Sequence, residues 1–249
     1  MTYCVAIRLA EALIFASDSR TNAGVDNVST FRKMYWFEVA GDRAIVMLNS
    51  GNLATTQTVV SLLRKRVAQD PDHILNAPSM FDVAGLVGDT VAEVVHRYTS
   101  DTHSQSAGVD FTCSFLVGGQ IRGEVPRLFL VYPQGNFIEA TNETPFLQIG
   151  EGKYGKPVLD RVIRFDTSIS EAIKCALVSF DSTMRSNLSV GMPIDLAVIQ
   201  TDDFGQVRLT TLNEDDPYFT GIRRNWGDGL RRVFAGLPDA DWLSRLTPS

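Results

Sequence analysis

Residues 2–21 read TYCVAIRLAEALIFASDSRT, and this stretch decides the fold. Tyr3 to Leu9 has the pattern of a strand, Ala10-Glu11 forms a tight turn, and Leu13 to Ser17 returns as a second strand. The second strand ends in polar residues, the first of which is the carboxylate Asp18. The sequence therefore predicts that the chain starts inside a β-hairpin.

The remaining elements are grouped by type along the chain. Strands are followed by two helices, then strands, two more helices and two closing strands. This grouping suits two antiparallel sheets packed together with helices outside, rather than alternating βαβ units. The predicted strands are 31–39, 43–48, 111–117, 127–132, 137–140, 194–201 and 207–212, and the predicted helices are about 52–68, 80–98, 154–163 and 170–184.

The composition is that of a globular domain with a substantial core. Of the 249 residues, 44% are hydrophobic and 21% are charged. Because no linker or low-complexity tract divides the chain, we expect one domain over residues 1–212. Residues 213–249 are then a C-terminal extension packed on the same domain, with a peripheral helix near Ile222 to Phe234.

Charge and hydropathy exclude several classes of partner. A formal net charge of -6 argues against nucleic acid as the main partner, since phosphate binding needs clustered Lys and Arg. The longest apolar runs have only the length of strands, so we expect no membrane span. Residues 1–10 lack the basic start of a signal peptide, and a cytoplasmic location is expected.

The candidate chemistry starts at Thr2. An N-terminal Thr can act as nucleophile through its hydroxyl and as base through its own α-amine, whose ordinary pKa is about 7.7–8.0. Thr2 meets this requirement once Met1 is removed, which a small second residue normally permits. Taken alone, Thr2 is better explained as the small residue that follows Met in many proteins.

Three further positions turn Thr2 into part of a pattern. Lys33 would lower the pKa of a nearby Thr hydroxyl, and Asp18 can keep that Lys ionised in a cleft. Gly51 lies in the turn Asn49-Ser50-Gly51-Asn52 before the first helix, where its N–H is a natural oxyanion donor. Taken singly, Asp18 is explained as a turn-capping carboxylate and Lys33 as a solvated strand end. Gly51 is explained as part of a routine turn between a strand and a helix.

Together these residues resemble the proteasome β-subunit family. The matching segments are Thr2, Asp18-Ser19-Arg20-Thr21-Asn22-Ala23-Gly24, Phe31-Arg32-Lys33 and Ser50-Gly51. The segments TYCVAIRL and SDSRTNAGVDN look most like its bacterial branch Anbu, the ancestral β-subunit. The resemblance covers the chain to about residue 212 and is strongest over residues 2–60.

The resemblance implies an α+β fold, the four-layer αββα sandwich of N-terminal-nucleophile hydrolases. It implies Thr2 as nucleophile and base, Asp18 and Lys33 as its electrostatic support, and the N–H of Gly51 as oxyanion donor. It also implies that Thr21 offers its backbone to an extended substrate peptide as an added strand.

Two later segments depart from the family pattern. The Gly-Ser-Gly turn of the family reads Gly150-Glu151-Gly152, so Glu151 is either a replacement partner for the amine or a surface residue. In the family's Asp-x-x-Ser-Gly motif only Ser189 has a match, and the Asp is missing. At these two positions the chain lacks residues that the family pattern places near the nucleophile.

The leading functional hypothesis is a self-compartmentalising threonine peptidase or amide hydrolase that needs no metal or cofactor. We expect a homo-oligomer, in a ring or a helical stack, that acts on a peptide or an unfolded protein. The alternatives are an amidase for a small amide or isopeptide, and a non-catalytic self-assembling scaffold.

Overall fold

The structure is a computed structural model of the chain and describes residues 2–22, 28–100, 109–204, 206–243 and 246. Twelve strands and five helices are assigned within these residues. The strands are β1 (Tyr3–Arg8), β2 (Ala12–Asp18), β3 (Arg20–Asn22), β4 (Val28–Thr30), β5 (Met34–Val39), β6 (Arg43–Gly51), β7 (Cys113–Ile121), β8 (Arg127–Val131), β9 (Phe137–Glu139), β10 (Phe146–Gly150), β11 (Ile194–Gln200) and β12 (Arg208–Leu212). The helices are α1 (Leu53–Gln69), α2 (Met80–Thr99), α3 (Lys156–Val162), α4 (Ile169–Ser186) and α5 (Pro217–Ala235).

Ten of the strands form two antiparallel five-stranded sheets. The first has the order β10-β1-β2-β11-β12, and the second has the order β5-β6-β7-β8-β9. The N-terminal hairpin β1–β2 therefore lies in the middle of the first sheet, where it is buried on both faces. The strands β3 and β4 form a separate two-stranded ribbon.

Two apolar layers hold the sandwich together. One lies between the sheets and contains Phe15, Leu48 and Leu116, while the other packs α1 and α2 against the second sheet through residues such as Val87 and Phe115. On the opposite side, α4 contacts β1 and β2 and packs with α3. The order helix, sheet, sheet, helix confirms the predicted αββα sandwich.

Helix ends follow the expected cap chemistry. The side chain of Ser168 accepts a hydrogen bond from the N–H of Glu171, so Ser168 is the N-cap of α4. The side chain of Asn52 caps α1 by accepting from the N–H of Thr55. Both caps fix where a helix leaves a turn, and the cap at Asn52 directly follows Gly51.

Several predicted boundaries are wrong, and one strand was missed. The strand expected at residues 31–39 begins only at Met34, and β6 extends through Gly51 instead of ending at Leu48. The strand β10 was not predicted, although its pairing with β1 places residue 150 opposite Tyr3. The peripheral helix begins at Pro217 because Asp216 accepts from the N–H of Phe219 at 2.8 Å.

The chain forms two compact units, Met1–Glu214 and Asp215–Ser249. The second unit consists mainly of α5, whose arginines stand beside large apolar side chains. Its packing as an extension of the first unit stays a prediction. None of the helices in the described residues is both long and apolar enough to cross a bilayer.

Candidate active site

The peptide bond between Thr2 and Tyr3 is held on both sides. The N–H of Tyr3 donates to Asp18 Oδ1 at 3.0 Å. The carbonyl oxygen of Thr2 accepts from the N–H of Glu151 at 2.7 Å. Thr2 itself is half-buried at the start of β1. These two hydrogen bonds fix the residue that carries the candidate nucleophile.

Tyr3 anchors the start of β1 to the helical layer behind it. Its fully buried ring lies 4.6 Å from the ring of Phe180, centroid to centroid. Its hydroxyl is hydrogen-bonded to Ser179 Oγ at 3.1 Å and accepts from Gln148 Nε2 at 2.5 Å. Burial raises the pKa of the Tyr3 hydroxyl, which therefore stays protonated. The anchor leaves Thr2 little freedom to shift along the strand.

Lys33 and Asp18 form a buried ion pair beside this peptide. Lys33 Nζ lies 2.7 Å from Asp18 Oδ1, and the two residues are 5% and 0% exposed. Lys33 also donates to the carbonyl oxygen of Arg20 at 2.6 Å. Lys33 lies just before β5 rather than inside the strand predicted at residues 31–39, and its own carbonyl oxygen accepts a hydrogen bond from the N–H of Asn49.

Asp18 is the point at which the candidate site residues meet. Its Oδ1 accepts hydrogen bonds from the N–H of Tyr3 and from Lys33 Nζ. Its Oδ2 accepts a hydrogen bond from the N–H of Gly191 at 3.5 Å. Burial raises the pKa of the Asp18 carboxyl, while the Lys33 ammonium and the two N–H groups oppose that rise. The ammonium and the carboxylate each supply the partner that the other needs away from water.

Gly51 points its N–H toward the Lys33 side of the second sheet. In an antiparallel pair, N–H groups of alternate residues face the same neighbour. The N–H of Asn49 donates to Lys33, so the N–H of Gly51, two residues on, faces the same way beyond the start of β5. Gly51 has φ +110, and a Cβ there would lie 2.7 Å from Cys113 Cα. Only glycine fits this backbone.

The structure places Glu151 and Ser189 in one network. Glu151 is only 8% exposed, so the surface alternative for this residue is wrong. Its Oε2 accepts from Asn187 Nδ2 at 3.0 Å, and Asn187 Oδ1 accepts from the N–H of Ser189 at 2.9 Å. Ser189 thus contributes its backbone to this loop. Asn187 was not singled out from the sequence, where a polar residue after a helix carries no distinctive signal.

Thr21 lies in β3, opposite Ser29 of β4. Within the described part of the chain β3 pairs with β4 alone, so its other edge has no strand beside it. This placement agrees with the expected role of Thr21 in backbone pairing with a substrate, which stays a prediction.

A second buried carboxylate, Asp195, supports the residue after Asp18. It accepts from Ser19 Oγ at 3.0 Å and from Thr211 Oγ1 at 2.7 Å. The sequence carried a signal for it, because an ionisable residue stands inside the apolar strand Ile194-Asp195-Leu196. Buried carboxylates are retained only with partners, and the partners here are Ser19, directly after β2, and Thr211 in β12.

Comparison with known proteins identifies the family to which this chain is similar. The family model for proteasome subunits matches residues 2–199. Proteasome subunit β2 of Pyrobaculum aerophilum is 26% identical over 196 residues, which are 78% of this chain and 87% of the relative.

Solved structures give closer similarities. Anbu (ancestral β-subunit) from Yersinia bercovieri is 53% identical, with a TM-score of 0.88 over 96% of this chain and 99% of that one. The helical assembly of the Anbu complex from Pseudomonas aeruginosa is 51% identical, with a TM-score of 0.92 over 97% and 99%. The chain therefore belongs to the proteasome subunit family, in its Anbu branch.

Proposed function

We propose that this protein is a threonine-type peptidase or amide hydrolase whose nucleophile is Thr2, exposed by removal of Met1. Thr2 Oγ1 attacks the substrate carbonyl carbon while the neutral α-amine of the same residue takes the hydroxyl proton. The resulting oxyanion accepts a hydrogen bond from the N–H of Gly51. The ammonium then returns its proton to the leaving nitrogen as the C–N bond breaks. Water hydrolyses the remaining ester, with the α-amine again as base.

The observation that carries this proposal is the hydrogen-bonded unit of Thr2–Tyr3, Asp18 and Lys33. A buried ammonium next to a hydroxyl lowers the pKa of that hydroxyl by charge. Such a cation is costly to bury without function or compensation, and Asp18 provides the compensation. The two bonds to the Thr2–Tyr3 peptide then hold the nucleophile at a fixed position beside the pair.

The other predicted residues take supporting roles in this proposal. The open edge of β3 at Thr21 would pair with the backbone of an extended substrate, and this favours a peptide over a compact small molecule. Ser189, together with Asn187, which the sequence did not single out, holds the loop that faces Asp18.

We further propose that the protein works as a homo-oligomer. A 51% identical structure is a helical assembly of the Anbu complex, and its chain is covered almost completely. Confinement inside an assembly would keep a broadly reactive nucleophile away from folded proteins. Mass measurement of the native protein in solution tests this directly, and a monomer at working concentration would contradict it.

The test of the activity uses the full chain with Thr2 as first residue. Wild type, Thr2→Ala and Thr2→Ser are compared for cleavage of an unfolded protein, short peptides and small amides, and for covalent addition of a threonine-directed electrophile. We expect hydrolysis and labelling of residue 2 in the wild type, loss of both in Thr2→Ala, and partial retention in Thr2→Ser. Ser61→Ala removes an exposed hydroxyl on α1 and serves as control.

The outcomes separate the alternatives. Cleavage of small amides without cleavage of unfolded protein indicates the narrower amidase. Retention of Met1 in protein from its native cell, with no labelling at residue 2, indicates a non-catalytic scaffold. Hydrolysis that survives Thr2→Ala contradicts the proposal outright.

A further inference from the structure

We propose that the carboxylate of Glu151, held by Asn187, forms an ion pair with the α-ammonium group of Thr2 once Met1 is removed. Glu151 thereby sets the pH at which that amine becomes the free base. This inference rests on the proposed function, because it concerns the amine that acts as base there. It makes Glu151 and Asn187 positioning residues of the site.

The backbone places Glu151 directly against Thr2. The pairing of β1 with β10 sets Tyr3 opposite Gly150, and the next residue, Glu151, donates its N–H to the carbonyl oxygen of Thr2 at 2.7 Å. The α-nitrogen belongs to the same residue as this carbonyl, so it lies well within reach of a glutamate side chain.

The side chain of Glu151 is held inside the protein instead of turning to solvent. The residue is 8% exposed, and Oε2 accepts from Asn187 Nδ2 at 3.0 Å. Asn187 is itself fixed, because it caps the end of α4 and its Oδ1 accepts from the N–H of Ser189. The carboxylate is therefore oriented before any cation arrives.

A buried carboxylate with one neutral donor lacks the positive partner that such groups normally have. Among the described residues no Lys, Arg or His forms an ion pair with Glu151. Cleavage after Met1 creates a new cation on Thr2, the residue whose carbonyl Glu151 already binds. The carboxylate and the new ammonium satisfy each other.

Other charges on the neighbouring elements are already paired or directed elsewhere. Asp18 is compensated by Lys33, and Asp181 accepts from Arg185 within α4. Arg20 donates to the carbonyl oxygen of Leu188. The charged side chains on the neighbouring elements are thus Asp18 on β2, Arg20 on β3, Lys33 just before β5, and Asp181 and Arg185 on α4. After Glu151, Lys153 is exposed to solvent and Lys156 pairs with Asp160. Lys33 opposes the charge on the ammonium and Asp18 favours it, so Glu151 is the additional, uncompensated negative charge.

The expected effect has a definite sign. An opposite charge within about 4–6 Å favours the charged form of a group and shifts its pKa by about 1–3 units. The Glu151 carboxylate therefore raises the pKa of the Thr2 amine and moves the acid limb of kcat/KM to higher pH. Removing the charge should lower that pKa and move the acid limb to lower pH.

The experiment measures the Thr2 amine directly and does not depend on a substrate. Full-length protein with Thr2 as first residue is labelled competitively with acetic anhydride from pH 5 to 10, and the N-terminal peptide is quantified by mass spectrometry. We expect the amine pKa to fall by about one unit in Glu151→Gln, a variant that keeps the size of the side chain. Glu151→Ala should give a shift of the same sign, and it serves if the first variant does not fold.

Glu143→Gln is the matched control, because it makes the same chemical change at an exposed carboxylate. It should leave the amine pKa unchanged. An amine pKa that is equal in wild type and in folded Glu151→Gln or Glu151→Ala overturns the inference. Failure of the proposed function is distinguishable, since it shows as hydrolysis that survives Thr2→Ala whatever the amine pKa is.

Discussion

Gly150 approaches Thr2 so closely that a Cβ atom built on it would overlap the carbonyl oxygen of Thr2 and lie 2.7 Å from the carbonyl carbon. Gly150 also has φ +80, a conformation that other residues rarely adopt. The contact occurs where β10 ends beside the start of β1. The position of the candidate nucleophile therefore depends on a residue almost 150 positions away that has no side chain.

Gly150→Ala should displace Thr2 and reduce both stability and activity. The positive φ costs about 1–2 kcal/mol, and the overlap with Thr2 adds about 1–3 kcal/mol to the loss in unfolding free energy. Because a misplacement near 1 Å can cost about 100-fold in rate, kcat should fall by that order. Urea unfolding and hydrolysis assays measure the two effects.

Gly123→Ala isolates the part of this loss that comes from the contact. Gly123 has φ +89, close to the value at Gly150, but a Cβ there meets nothing within 4 Å. It should show the backbone penalty alone and keep full activity. Equal losses in the two variants would mean that the approach of Gly150 to Thr2 does not matter.

Gly51→Ala should lower kcat in addition to destabilising the fold. Its φ of +110 and the approach of a Cβ to Cys113 would force the backbone to turn, which moves the N–H proposed as oxyanion donor. Loss of one such donor typically costs about 100- to 1,000-fold in kcat. Steady-state kinetics measure this, and labelling of Thr2 by an electrophile should fall in parallel.

The control for this prediction is Gly41→Ala. Gly41 has φ +75 in a turn, where a Cβ meets only the end of the Arg122 side chain at 3.3 Å. The backbone penalty is similar, but the turn is not part of the candidate site. A comparable fall in kcat in both variants would remove Gly51 from the proposed mechanism.

Hydrophobic periodicity predicted those helices and strands whose residues are close in sequence or strongly apolar. The hairpin β1–β2 and both predicted helix pairs follow from periodicity over consecutive residues. The strand β10 was missed because it follows the polar segment Thr141 to Thr144 and is stabilised by pairing with β1, which is far away in the sequence. Without β10, the sequence could not show that Glu151, the residue after this strand, lies beside Thr2.

The candidate site shows the same limit. Asp18 and Lys33 could be proposed because a motif joins them to Thr2, and the structure places their ion pair beside the Thr2–Tyr3 peptide. Asn187 could not, since its contact with Glu151 depends on where two distant loops meet. A sequence reports which groups are available, whereas hydrogen bonds between loops depend on tertiary packing.

The three cysteines should not react with thiol reagents while the protein is folded. Cys4, Cys113 and Cys175 are all buried, and burial raises the pKa of Cys113 and Cys175 to about 12. Reagents such as iodoacetamide attack the thiolate, which is scarce at such a pKa. We expect slow labelling and unchanged hydrolysis in native protein, and labelling of all three after unfolding. Rapid native labelling with loss of activity would point to a cysteine nucleophile instead.

Lys33→Met should destabilise the fold and make its stability depend on pH. Loss of the ammonium leaves Asp18 buried beside an apolar side chain, and breaking a buried pair in this way costs about 3–5 kcal/mol at neutral pH. Asp18→Asn combined with Lys33→Met should recover part of this loss, because the uncompensated carboxylate is gone. Lys65→Met, on the exposed face of α1, should change little.

The pH dependence follows from the direction of the Asp18 shift. Burial already raises the pKa of this carboxyl in the folded protein, and without Lys33 nothing cationic opposes that rise. A carboxyl whose folded pKa exceeds its unfolded pKa binds its proton more tightly in the folded state, so its contribution to stability is lost as pH rises through the folded pKa. Lys33→Met should therefore lose less stability relative to wild type at pH 4 than at pH 8 in denaturant unfolding. A deficit that is equal at both pH values would show that Asp18 does not carry the uncompensated charge.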